Sequence, residues 1–228
     1  MPAGMFGIGL VPPGERDPFG SPRPALGVTR IVLEKNLPLQ LNALIDLAYS
    51  YLPSQIGQAH TDVNGFVIDR LSGYLREGGA TAQEVEAVLS RGLLSLAEAP
   101  RILKAVQDFQ RLPEATALAA ANKRIVNIIR KAGQEHRNAD VSRLTDPAEV
   151  ALFQALNKTH PAVESCVAAC DYSGALQRLA ALKQPVDAFF DQVMVMAEDP
   201  AVRDNRLALL GDLKALMNRV ADISRLAV

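Results

Sequence analysis

From Ala25 onward, apolar residues recur three and four apart, the spacing of one face of an α-helix, and no stretch shows a convincing strand pattern. Leu26, Arg30, Leu33 and Leu37 mark the first turns. Pro38 then opens PLQLNALIDLAYSYL, with Leu41, Leu44, Ile45 and Ala48 on one face. Pro53 ends that helix. DVNGFVIDRLSGYLRE follows, with Val63, Phe66, Val67, Leu71 and Leu75 at helical spacing and the glycine pair at 78–79 as its stop. Thr81 with Glu84 forms a capping-box signature ahead of an apolar run. Ser95 with Glu98 repeats it, although Pro100 falls within the first turns of that helix.

The longest helix of the middle region follows Pro113. Asp146-Pro147 starts PAEVALFQALNKTHPAVESCVAAC, with a break or bend expected at His160-Pro161. Short amphipathic helices are expected at 172–183 and 185–197. Asp199-Pro200 caps a final helix carrying Val202, Leu209, Leu213, Leu216, Val220 and Ile223 on its apolar side. The fold class is therefore all-α, a helical bundle with short connections and antiparallel neighbours. The first 24 residues are different: GIGLVPPGERDPFGSPRP is loop chemistry, and a chain that opens in a loop reads as a piece of a longer one.

Composition fits this picture. The chain has 228 residues, enough for one large or two small domains, and 49% of them are hydrophobic with no Trp, so the core is aliphatic. Net charge is −1, which by itself points to no polyanionic partner, but its distribution is uneven. Residues 1–100 carry 7 basic and 10 acidic side chains, whereas residues 101–143 carry 9 basic and 4 acidic. Cys166 and Cys170, four apart, fall on one face of an expected helix. Two thiols do not make a zinc site, and they read as small core residues in a reducing cytoplasm. No signal peptide and no apolar run long enough to cross a membrane is present.

At the centre of the basic region lies AAANKRIVNIIRKAG, residues 119–133. Leu118, Ala121, Ile125, Ile128 or Ile129, and Ala132 form its apolar stripe. Lys123, Asn127, Arg130 and Gln134 line up on the other side. A solvated face would interleave Glu with Lys, yet residues 122–134 contain no acid. A cationic ridge with amide groups suits phosphate contact and base-edge reading. Signals for catalysis are thinner. His60, His136 and His160 lack metal-ligand spacing, and no phosphate loop, zinc motif or nucleophile motif appears.

Three segments read together resemble one family. FGIGLVPPGERDPFGSPRPALGVTRIVLEKNLPLQL (6–41) is similar to its Gly-x-Pro-x-Gly-x-x-Asp-Pro-Phe segment and the Gly-Val-x-Arg-Ile helix after it. LPEATALAAANKRIVNIIRKAG (112–133) resembles its Ala-Ala-Asn-Lys-Arg helix. QPVDAFFDQVMVMAEDPAVRDNRLALLGDLKALMNRVADISRL (184–226), the most specific of the three, resembles its closing helices. The family is the beta subunit of the bacterial two-subunit glycyl-tRNA synthetase, and the resemblance covers the C-terminal part of that longer subunit. It implies three regions: 1–80 as the end of an HD-like helical domain, 81–112 as a helical linker, and 113–228 as a DALR-type anticodon-binding domain, similar to that of arginyl-tRNA synthetase.

The resemblance further implies a fragment that grips glycine tRNA for a cytoplasmic ligase. Catalysis, with ATP and Mg, belongs to the alpha subunit of a heterotetramer, and no cofactor or metal belongs to this fragment. The tRNA contacts it implies are Asn122, Lys123, Arg124, Asn127 and Arg130, with Arg203, Asn205 and Arg206 in the closing helix. Lys and Arg would hold phosphates, while Asn and Arg could read splayed anticodon bases. Asn122 also lies toward the apolar stripe, where it could satisfy a loop carbonyl. Phe189 and Phe190 sit at core spacing with Val186, Val193 and Ala197, which favours packing over base stacking. One departure stands out: Gly20, Pro22 and Pro24 would interrupt a helix that the family starts with paired arginines, leaving only Arg23 of the pair. A helical docking module for the alpha subunit is the alternative function. An HD-type phosphohydrolase would need a metal cluster that three scattered histidines do not supply.

Overall fold

A computed structural model describes residues 2–10, 22–93, 95–133 and 138–227. The expected loop chemistry of residues 11–21, including Gly20, and the positions Gln134 and His136 lie outside them. Every regular element among the described residues is helical, as the periodicity predicts. The chain divides into two compact units. The first comprises Met1–Val85 and Gly92–Arg101, the second Glu86–Arg91 and Ile102–Val228.

The first unit is built on α4 (His60–Glu77), against which α1 (Pro2–Gly7), α2 (Pro22–Glu34) and α3 (Leu41–Ser50) pack. The buried face of α4 is Val63, Phe66, Val67, Leu71 and Leu75, the same five residues the spacing selects. Phe66 meets Phe6 edge to face at 5.3 Å, and the Arg70 guanidinium stands 3.9 Å from the Phe66 ring centre. Gly7 makes the closest backbone approach: its carbonyl accepts from Gly57 N at 2.9 Å. A Cβ there would lie 2.3 Å from Ile56 Cγ2. The capping box at α5 (Ala82–Leu89) forms as expected, Thr81 Oγ1 accepting from Glu84 N and Glu84 Oε2 from Thr81 N.

Local differences from the periodicity have local causes. Residues 2–7 are helical, not loop. Helix α2 begins at Pro22, because prolines at 22 and 24 fall in a first turn where no backbone N–H is needed. Helix α3 begins at Leu41, since Gln40 before it is extended, and it buries Leu41, Ile45 and Tyr49. Ser95 caps a short 3₁₀ turn, Leu96–Glu98, and α6 (Ala99–Gln110) then places Pro100 in its own first turn.

In the second unit, α7 (Ala115–Ala132) packs against α11 (Pro200–Met217) and the 3₁₀ turn Ile223–Leu226. Helix α8 (Pro147–Ala168) packs against α9 (Tyr172–Arg178), α10 (Lys183–Gln192) and α11. Phe109, Leu118, Ile125, Leu152, Phe189, Leu209, Leu210 and Leu213 are almost fully buried between them. Helix α8 runs through Pro161 as one helix of 22 residues, so the expected break is absent. Asn157, His160 and Pro161 are all exposed, which leaves the unpaired carbonyl on the solvent side. The last stretch, 193–199, is not helical, and α11 ends at Met217. Val220 and Ile223 are nevertheless buried, from the turns that follow.

The cysteines are a correction: Cys166 is partly exposed and Cys170 fully so. Helix α8 stops before Cys170, which adopts φ 56° as the left-handed residue of its C-terminal cap. Cys170 N donates to Val167 O and Asp171 N to Cys166 O. A left-handed conformation costs an L-residue about 1 kcal/mol that glycine avoids. Cys170→Gly is therefore expected to raise unfolding free energy by roughly 0.5–1 kcal/mol, measured by urea denaturation. A decrease would show that the side chain matters to the cap.

Candidate nucleic-acid interface

Helix α7 is held by its buried face, Ala115, Leu118, Ala119, Asn122 and Ile125. It ends at Gly133, whose φ of 63° suits a helix stop. At 100° per residue, Lys123, Asn127 and Arg130 lie within about 60° of one another, and Arg124 and Lys131 extend the same arc. Lys123, Arg124, Arg130 and Lys131 are exposed, and Asn127 is partly so. Among the described residues, none of these four cations has a carboxylate within ion-pair distance. Lys123 Nζ donates to Ala227 O at 3.1 Å, Arg130 Nη2 to Asn127 Oδ1 at 3.0 Å, and the Arg124 guanidinium lies 4.1 Å from the centre of the Phe190 ring. The arc is therefore positioned by weak, exposed contacts and keeps its charge.

The remaining expected contacts are engaged within the fold to different degrees. Asn122 is fully buried, and its amide exchanges hydrogen bonds with the Asn218 amide, Nδ2 to Oδ1 at 2.7 Å. Asn218 Oδ1 also accepts from Ile223 N at 3.1 Å, so this pair joins α7 to the end of α11. Burial takes Asn122 off the surface; of its two sequence-based roles, the structural one matches its position, though the partner is an amide and not a loop carbonyl.

Asn205 is buried as well. Its Oδ1 accepts from Asp140 N at 2.7 Å and its Nδ2 donates to Asp140 O at 3.0 Å, clamping the segment that follows α7. Ala139 N donates to Asp212 Oδ2 at 3.0 Å, about two turns further along α11. Arg206 pairs through Nε with Glu149 and donates through Nη1 to Met194 O at 2.8 Å. Glu149, with a side chain 1% exposed, also accepts from Thr145 N and Asp146 N. Its second oxygen thus completes the capping box of α8. Arg203 is half-buried, donating to Ala197 O at 3.4 Å and standing 4.0 Å from Asp204. Asn122, Asn205 and Arg206 are thus committed inward, and Arg203 is the more exposed of the two expected arginines of α11.

The ridge itself could be found from the absence of acids along α7. The inward turn of Asn122, Asn205 and Arg206 could not, because their partners Asn218, Asp140 and Glu149 are 96, 65 and 57 residues away. Two residues that the sequence did not single out also shape this unit. Arg219 donates through Nε and Nη2 to the two oxygens of Glu164, at 2.6 and 3.0 Å, and holds that carboxyl below the ordinary carboxylate range. The Ser142 hydroxyl and backbone N–H do the same for Asp140. The histidines do not converge: His60 stands 3.0 Å from Asp46 and stacks on Tyr49 in the first unit, and His160 lies on α8. Among the described residues no three of His, Cys, Asp and Glu are grouped to hold a metal ion, and no helix is long and apolar enough to cross a membrane.

The family model described as DALR anticodon binding domain matches residues 118–223, from α7 to the 3₁₀ turn after α11. The second unit is thus an all-α module similar to those that receive tRNA anticodons. The model described as glycyl-tRNA synthetase beta subunit matches residues 2–90. Glycine–tRNA ligase beta subunits from Thiobacillus denitrificans, Leptothrix cholodnii and Dechloromonas aromatica are 54%, 51% and 50% identical over 98% of this chain. The chain belongs to the family of glycyl-tRNA synthetase beta subunits. It spans about a third of the length of the curated relatives it matches.

Arg206→Ala leaves the buried Glu149 carboxylate without its cation, so it is expected to destabilise the second unit by about 3 kcal/mol. Lys131→Ala, on the exposed arc, should stay within about 0.5 kcal/mol. Equal losses in denaturant titrations would refute this division between scaffold and surface. The lowered carboxyls of Glu164 and Asp140 contribute stability that is present above the ordinary carboxylate range and lost as pH falls through their lowered values. Thermal melts at pH 7 and near pH 3.5 should therefore differ less in Arg219→Gln than in the parent chain. An unchanged difference would remove Arg219 as the cause.

Proposed function

We propose that this chain is the anticodon-recognising, tRNA-binding part of a glycyl-tRNA synthetase beta subunit, supporting ATP-dependent glycylation of tRNA by a larger enzyme. The observation that carries this is the acid-free cationic arc of α7, inside the segment that matches the anticodon-binding family model. In this proposal Lys123, Arg124 and Arg130 contact phosphates of the anticodon loop, with Arg203 a more distant, half-buried candidate. Asn127 reads a base edge: Arg130 already occupies its carbonyl oxygen, and the amide NH₂ can donate to a base acceptor such as those of cytosine. Asn122, Asn205 and Arg206 act as the frame that fixes α7 and α11.

The same proposal assigns 1–80 to the end of an HD-like helical domain, 81–112 to a helical linker and 113–228 to the anticodon-binding domain. It places the chain in the cytoplasm, with glycine tRNA and the catalytic alpha subunit as partners in a heterotetramer. ATP and magnesium serve the whole enzyme, with glycine activation and transfer carried out outside this chain. What this chain's residues contribute is orientation: a tRNA held by its anticodon presents its acceptor end at a fixed place.

The test is salt-dependent binding of the 228-residue chain to glycine tRNA, to the same tRNA with its two anticodon cytosines replaced, and of the Lys123→Ala/Arg130→Ala variant to both. Base replacement should weaken binding, and the double variant should reduce the salt slope by about 1.4 to 1.8. Binding that is absent, or indifferent to both changes, refutes the anticodon role and leaves docking to the alpha subunit in its place.

A further inference from the structure

Two consecutive phenylalanines of α10 have different fates. Phe189 is fully buried, and Phe190 meets it edge to face at 5.6 Å but keeps part of its own surface at solvent. Over the Phe190 ring lies the guanidinium of Arg124, 4.1 Å from its centre. Arg124 is exposed, and among the described residues it has no carboxylate partner. The contact therefore brings an aromatic face to the edge of the cationic arc. Asn127, three residues along α7 from Arg124, stands about one helical turn away.

We infer that the Phe190 ring is a stacking site for one unpaired base of a bound RNA loop, with Arg124 as its displaceable cover. The inference rests on the anticodon reading above and deepens it by assigning a residue that neither charge nor hydrogen bonding marks. An exposed cation–π contact is worth only about a two- to fivefold preference. A base stacked on an aromatic ring is worth about fivefold to a hundredfold. A base therefore outcompetes the guanidinium for the ring. The arginine keeps its charge when it leaves, and the phosphate beside the incoming base is within reach of its long side chain. Without RNA, Arg124 shields an apolar ring that would otherwise face water. Single-stranded loops are read in this manner, by phosphate contacts, an aromatic platform and an amide at the base edge. Arg124, Phe190 and Asn127 supply one of each.

The test uses the 228-residue chain and glycine tRNA anticodon stem-loops carrying 2-aminopurine at single loop positions, whose fluorescence is quenched on stacking. At one position the parent chain should quench the probe. Phe190→Leu, with folding checked by circular dichroism, should lose that quench and about tenfold in affinity, and Phe190→Tyr should retain both. Arg124→Ala should weaken binding and flatten its salt slope yet keep the quench, because the ring is uncovered. A quench unchanged in Phe190→Leu overturns the site while leaving the anticodon reading intact. A quench lost in Arg124→Ala overturns it too, since the base would then sit on the guanidinium. Absence of binding by the parent chain refutes the anticodon reading itself and this site with it.

Discussion

The second unit depends on satisfying one buried carboxylate. Glu149 sits in the first turn of α8 with its side chain 1% exposed, where an ionised group is tolerated only when donors surround it. It receives two backbone N–H groups at the start of α8, and Arg206 of α11 supplies the cation. Arg206 also holds the Met194 carbonyl, so one guanidinium fixes a helix start, a neighbouring helix and the non-helical segment before that neighbour. The acidic first turn also suits the positive end of the α8 dipole.

Helix α11 extends this logic along its length. Asn205 clamps the Asp140 backbone, Asp212 accepts from Ala139 and Asn218 meets Asn122. These contacts set α7 and α11 antiparallel, because the start of α11 meets the segment after α7 and its end meets the middle of α7. Amide and carboxylate side chains thus do inside the unit what aliphatic burial cannot: hydrogen bonds have direction, so they fix rotation and register as well as distance. With Asn122 anchored inward, Arg124 and Lys131 fall on the far side of α7 and Lys123, Asn127 and Arg130 on its flank toward solvent, and Arg124 is brought over Phe190.

This division of labour explains why the exposed cations remain available. A cation locked to a buried carboxylate, as Arg206 is, would leave an uncompensated charge if it moved to a phosphate. A cation held by a carbonyl or a ring, as Lys123 and Arg124 are, moves at little cost. Residues of the same chemical type therefore separate into frame and surface according to what they face, not what they are.

The helices themselves were readable from order and spacing. The buried face of α4, the capping box at Thr81–Glu84, and the Asp146-Pro147 and Asp199-Pro200 starts of α8 and α11 are properties of residues no more than a few turns apart, which a helix brings together without help from the rest of the chain. Other local rules yielded to context. Pro161 did not stop α8 because the Asn157 carbonyl that it leaves unpaired is on the solvent side, and Cys170 took a left-handed cap that composition alone assigns to glycine. The acid-free run on α7 was equally legible, and with it the candidate surface. Tertiary structure decided which members of that candidate set face outward. Asn122, Asn205 and Arg206 look like RNA-reading residues in sequence, and only packing between helices far apart in the chain turns them into ties. Spacing fixes which side of a helix a residue occupies, but whether that side meets water, a carboxylate or an amide is set by partners that no local pattern records.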